Sequence, residues 1–188
     1  MPLNSPDLAI RGAQVVLPTA DDRLAISTTS IAIKDGKILA IGPQAHEGAR
    51  EIIEGSGMHC LPGVIDSQVH FREPGLTHKE DLESGTRGAA LGGVTAVFEM
   101  PNTKPATTTA ELLREKFKGA EGRVWTDVSF FIGATPENGD KLGELELQPN
   151  CCAVKIFMGS STGSLLVDED GPLLKILKNG RRRVAVHA

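Results

Sequence analysis

From Cys60 onward the chain alternates short apolar runs with amphipathic stretches of ten or more residues, and this alternation admits very few folds. The runs are LPGVIDSQVHF, VTAVFEM, VWTDVSFFIGA, CAVKIFM and RVAVHA. Between them lie KEDLESGTRGAALG, TTAELLREKFKG, a weaker NGDKLGELEL and EDGPLLKILKNG. Strands and helices in strict succession form βαβ units, in which the strands run parallel and the helices pack on the sheet. Five strands and four helices make roughly half of an eightfold barrel, which takes about 250 residues. The expected fold is therefore α/β, with a partial (β/α)8 TIM barrel over residues 58–188 that stops inside its fifth strand.

Residues 1–57 read differently. LAIRGAQVVL, ISTTSIAIKDGKILAIG and REIIEG are strand-like with no helix between them, and Asp35-Gly36 separates two apolar alternations. Asp-Gly is a hairpin signal because a type I′ turn needs positive φ at both central positions. Gly55-Ser56-Gly57 marks the joint. A small β-sandwich domain is expected ahead of the barrel.

Composition removes several classes of function. The net charge is −4, and the chain has no Tyr, one Trp and six Phe, which argues against a nucleic-acid partner. No apolar run approaches the roughly 20 residues that span a bilayer, and MPLNSPDLAIRG lacks the layout of a signal peptide. Three cysteines (Cys60, Cys151, Cys152) are an odd number without framework spacing, as a reducing compartment allows. A cytoplasmic protein acting on a small molecule is expected.

The chemistry concentrates at strand ends. If Val64 to Arg72 is one strand, Asp66, Gln68, His70 and Arg72 share a face and Ile65, Val69 and Phe71 share the other. Polar groups pointing into a barrel need partners, either a hydrogen-bonded core network or a metal and substrate site at the C-terminal mouth. Four in a row before Pro74-Gly75 favour the site. Lys155 lies in an apolar strand, where a salt bridge is the plainer reading; after reaction with carbon dioxide its carbamate would instead bridge cations. His187, alone near the end of RVAVHA, fits either a core residue or a ligand. GSSTG at 159–163 lacks the Gly-Lys-Ser/Thr ending of a phosphate loop and reads as a βα loop, and Arg181-Arg182-Arg183 as a solvated basic edge.

Taken together, GVIDSQVHFREPGLTHKEDLESG, EMPNTKP, VKIFMGSSTG and VAVHA resemble, in order and spacing, the strand-end motifs of dihydroorotase in the amidohydrolase superfamily. The resemblance implies zinc, one or two ions, with His70, a carboxylated Lys155 and His187 as ligands. It implies that Arg72 and Asn102 hold the carboxylate of dihydroorotate, roles suited to a guanidinium fork and an amide donor. The activity implied is reversible cyclisation of N-carbamoyl-aspartate to dihydroorotate in pyrimidine biosynthesis, in a complete protein expected to be a homo-oligomer. One departure bears on the metal. Gln68 stands where the family has the first histidine of a His-x-His pair, and an amide oxygen is a weaker zinc ligand than imidazole. The remaining ligand and the proton-shuttling aspartate would follow His187, so this chain alone is expected to be inactive. The competing readings are a non-catalytic structural partner of another pyrimidine enzyme and a hydantoinase or dihydropyrimidinase type of cyclic amidohydrolase.

Overall fold

A computed structural model describes residues 5–159 and 165–188, so most of GSSTG lies outside the described residues. Chain contacts divide the protein into a unit ending at Pro62 and a unit beginning at Gly63.

The first unit is built on β1 (Leu8–Pro18), β2 (Leu24–Lys34), β3 (Lys37–Gly42), β4 (Glu51–Glu54) and β5 (His59–Cys60), joined in one sheet in the order β3-β2-β1-β4, with β5 also on β1. The β2–β3 hairpin turns where the sequence predicts. Asp35 and Gly36 have φ of 50° and 72°, and Lys34 pairs with Lys37. β4 and β5 run parallel to β1, a pairing that strand propensity does not encode. Gly12, at φ +69°, sits where the β1–β2 register shifts between Ile10 and Ala13. Ala13, Val15 and Ile31 form its small core. Among the described residues this unit is a single mixed sheet; the second layer of a sandwich is not among them.

The second unit runs β6 (Val64–Val69), α1 (Leu82–Leu91), β7 (Val94–Glu99), α2 (Ala110–Ala120), β8 (Asp127–Gly133), α3 (Leu142–Leu145), β9 (Cys151–Phe157), α4 (Asp170–Asn179) and β10 (Val184–His187). Its strands are all parallel, in the order β10-β9-β8-β7-β6, and the sheet curls into a half-barrel. Helix starts follow the local chemistry: Asp81 and Thr109 cap α1 and α2 by accepting from Ser84 N at 2.8 Å and Leu112 N at 3.3 Å. The larger core gathers Leu82, Leu113, Phe130, Ile132, Ile156 and Ile176, and a second cluster holds Met100, Phe131 and Ala153. The neighbours Phe130 and Phe131 fall in different clusters, as alternation across a strand requires. Buried Glu146 accepts the N–H groups of Arg181 and Arg182 at 2.8 and 3.0 Å, fixing the entry to β10 while the three arginines stay exposed.

The strand that carries the first motif departs from its sequence reading. β6 ends at Val69 rather than Arg72, and as an edge strand it leaves Val64 and Ile65 more than half exposed (55% and 59%). Arg72 has φ +68° and its carbonyl accepts from Leu76 N at 3.0 Å, so the chain turns there. Strand alternation therefore places Asp66 and Gln68 but does not reach Arg72.

Candidate active site

The site is assembled at the C-terminal ends of β6, β7, β9 and β10. His70 follows β6 directly and Asn102 lies three residues past β7; a parallel ladder that runs as far as Val69 opposite Glu99 brings them side by side. Asn102 Oδ1 and His70 Nδ1 are 2.8 Å apart. A carboxamide oxygen only accepts, so the imidazole carries its proton on Nδ1 and presents an unprotonated Nε2. Burial lowers the His70 pKa below 6.5; the Asn102 hydrogen bond opposes this, while the positive charges of Arg72, Lys155 and Lys116 add to it. The ring is thus neutral at physiological pH, the form that ligates a metal.

Lys155, on β9, is 1% exposed, and its ammonium lies 5.1 Å from the centroid of the Phe157 ring. It forms no ion pair among the described residues, so the plain salt-bridge reading is not what the fold provides. Burial lowers its pKa, which raises the fraction of neutral amine, the species that adds to carbon dioxide. His187 closes β10 with its ring 5.9 Å from that of Phe157, so both candidate ligands neighbour the Phe157 ring. The His187 carbonyl accepts from Met158 N and Gly159 N at 2.8 and 3.2 Å, tying the end of β10 to the loop after β9.

Gln68 is exposed on β6, with no hydrogen bond from its side chain to the described residues. Arg72 carries its guanidinium close enough to act on His70 and has no carboxylate partner among the described residues. Among the described residues no three His, Cys, Asp or Glu side chains come together as a metal site. The donors that do fit a metal are the neutral His70 imidazole, His187 and Gln68, with Lys155 joining only as its carbamate.

Two contributors, Glu99 and Lys116, were not singled out in the sequence, and Asn102 has a second role there. Asn102, predicted as a substrate group, orients His70, leaving its amide N–H groups free to donate. Glu99 and Lys116 form a buried pair behind the same loops, 3.5 Å apart and each about 1% exposed at the side chain. A signal for them exists: Glu99 interrupts the apolar run VFEM, and Lys116 shares the buried stripe of α2 with Leu113 and Ala120.

Residues 57–137 match the family model described as dihydro-orotase-like. An allantoinase of Escherichia coli O1:K1 / APEC is 38% identical over 165 residues, 87% of this chain and 35% of that relative. An allantoinase of Bacillus velezensis is 34% identical over 92% of this chain and 37% of its own length. The L-hydantoinase (dihydropyrimidinase) structure from Arthrobacter aurescens superposes with a TM-score of 0.85 at 28% identity, over 97% of this chain and 40% of that one. These matches support the amidohydrolase superfamily. A dihydroorotase structure aligns at a TM-score of 0.58 and 17% identity, a likeness of fold alone. The motif resemblance and these matches agree on a likeness to cyclic amidohydrolases of that superfamily, and dihydroorotase is not singled out. The chain spans 35% to 37% of the length of these two curated relatives.

Proposed function

We propose that the protein to which this chain contributes hydrolyses a cyclic amide or ureide ring, in the manner of the allantoinases and hydantoinases it resembles. The observation that carries the reading is the His70–Asn102 pair. It supplies a neutral imidazole with a free Nε2 at the C-terminal mouth of a parallel half-barrel, where barrel enzymes place their chemistry. Zinc would be held by His70, His187 and the carbamate of Lys155, with Gln68 a weaker donor, and when bound it polarises the ring carbonyl.

The chain's own residues do the positioning. Arg72 offers a guanidinium with no carboxylate partner among the described residues to an anionic or carbonyl-rich ring, and the Asn102 amide donates beside it. The Arg72 guanidinium at the mouth favours a substrate or intermediate bearing negative charge. A second reading, dihydroorotase, draws on the same Arg72, since a guanidinium fork matches a ring carboxylate, and on the dihydro-orotase-like family model. A substrate panel on the complete natural protein separates them. Turnover of allantoin or hydantoin above dihydroorotate supports the first reading, preference for dihydroorotate supports the second, and turnover of none of them in the zinc-loaded protein refutes both.

A further inference from the structure

The buried Glu99–Lys116 pair has no part in the chemistry proposed above, yet its hydrogen bonds lead to the loops that carry the site. Glu99 is the last residue of β7. Its Oε2 accepts from Phe71 N at 2.9 Å, and the Arg72 N–H is directed at the same carboxylate. Its Oε1 has no hydrogen bond among the described residues and faces Lys116 Nζ at 3.5 Å. Lys116, on α2, donates to Met100 O at 3.0 Å and rests over the Phe130 ring, 5.2 Å from its centroid. One carboxylate thus meets two successive backbone N–H groups within the His70–Arg72 bend, and one ammonium holds the first residue of the segment leading to Asn102.

An ion pair so deeply buried is a poor device for stability alone. Desolvating both charges offsets their attraction, and apolar replacements of such pairs are often neutral or stabilising. The surroundings of this pair show a different use. Arg72 occupies the left-handed region at φ +68°, a conformation that a non-glycine residue keeps only when its neighbours hold it. The groups that meet its N–H and that of Phe71 belong to Glu99.

We propose that Glu99 and Lys116 are a positioning pair, fixing the 70–72 backbone and the Met100–Asn102 segment so that His70 meets Asn102 and presents Nε2 to the site. That His70 is a ligand rests on the function proposed above; the backbone clamp does not. The test uses the complete natural protein, metal-free and labelled with ¹⁵N-histidine, and then with zinc ion alone. In the native protein the Phe71 amide is expected to exchange as slowly as interior amides of β9, and His70 to show a single Nδ1–H tautomer. Glu99→Gln, which keeps an acceptor for Phe71 N, is expected to retain that tautomer and to hold zinc affinity within about threefold. Glu99→Leu is expected to leave β9 amides protected while His70 becomes a mixture of tautomers and zinc affinity falls at least tenfold.

Loop-rate exchange of the Phe71 amide in the native protein overturns the proposal without any variant. A folded Glu99→Leu protein with the native His70 signature overturns it as well. Global unfolding of Glu99→Leu also does so, because it assigns the pair to core stability. A native protein that binds no zinc while its His70 tautomer responds to Glu99→Leu as expected sinks the ligand reading and leaves the clamp standing.

Discussion

Two glycines of α1, three residues apart, are expected to respond in opposite directions to the same substitution. Gly88 is exposed, and a Cβ built on it meets nothing within 4 Å. Gly88→Ala therefore adds only helix propensity, about 0.8 to 1 kcal/mol of stability. Gly85 is buried, and its Cβ would lie 2.4, 2.6 and 2.9 Å from Cδ1, Cε1 and Cγ of Phe71. Three ring atoms below 3.0 Å cannot be relieved by swinging a flexible chain end, so either the ring or the helix shifts. Overpacking of this kind costs about 1 to 3 kcal/mol. Taking the upper part of that range and subtracting the propensity gain leaves Gly85→Ala destabilised by about 2 kcal/mol, some 3 kcal/mol below Gly88→Ala. At about 2 to 4 °C per kcal/mol for a protein of this size, Tm should fall by about 4 to 8 °C in one variant and rise by about 2 to 4 °C in the other. Thermal unfolding followed by circular dichroism reads both, and Phe71→Leu in the Gly85→Ala background should recover much of the loss. If Gly85→Ala stabilises as Gly88→Ala does, the close approach of Phe71 to α1, and with it the placement of His70 and Arg72, is wrong.

Replacing Arg72 by Ala in the complete protein removes a charge-assisted contact worth about 1.5 to 3 kcal/mol, so KM for an anionic ring substrate should rise about 10- to 150-fold; an unchanged KM would remove Arg72 from substrate binding. Gln68→His exchanges an amide oxygen for an imidazole and should raise zinc affinity or stoichiometry by equilibrium titration, and equal binding by both forms counts against a metal at that position. Glu73 should make stability acid-sensitive. Burial raises its pKa, but the hydrogen bonds from Arg123 at 2.7 and 3.2 Å and from Leu82 N at 2.9 Å outweigh that and hold the carboxyl below 4.5. Its contribution is therefore complete above pH 4.5 and is lost as pH falls through the lower folded value, so Glu73→Gln should flatten the Tm profile in that window and nowhere else; a profile of unchanged shape would exclude this carboxylate as a source of acid lability.

The sequence by itself determined what depends on neighbours along the chain. The βαβ order, the Asp35-Gly36 turn, and the presence of His70, Asn102, Lys155 and His187 at or just beyond strand ends all follow from periodicity and from residue chemistry a few positions apart. Tertiary structure decided what depends on residues far apart. Alternation put Arg72 on the His70 face, yet β6 stops at Val69 and the chain turns at a left-handed Arg72. Lys155 read as salt-bridged, but the fold surrounds it with Phe157 and no carboxylate among the described residues. Asn102 meets His70 across 32 positions, and Glu99 meets Phe71 across 28, only because parallel strands bring their C-terminal ends to one rim. A hydrogen bond has no sequence signature when its partners come from different βα units: local pattern fixes which face a side chain takes, and the register between strands fixes what it touches.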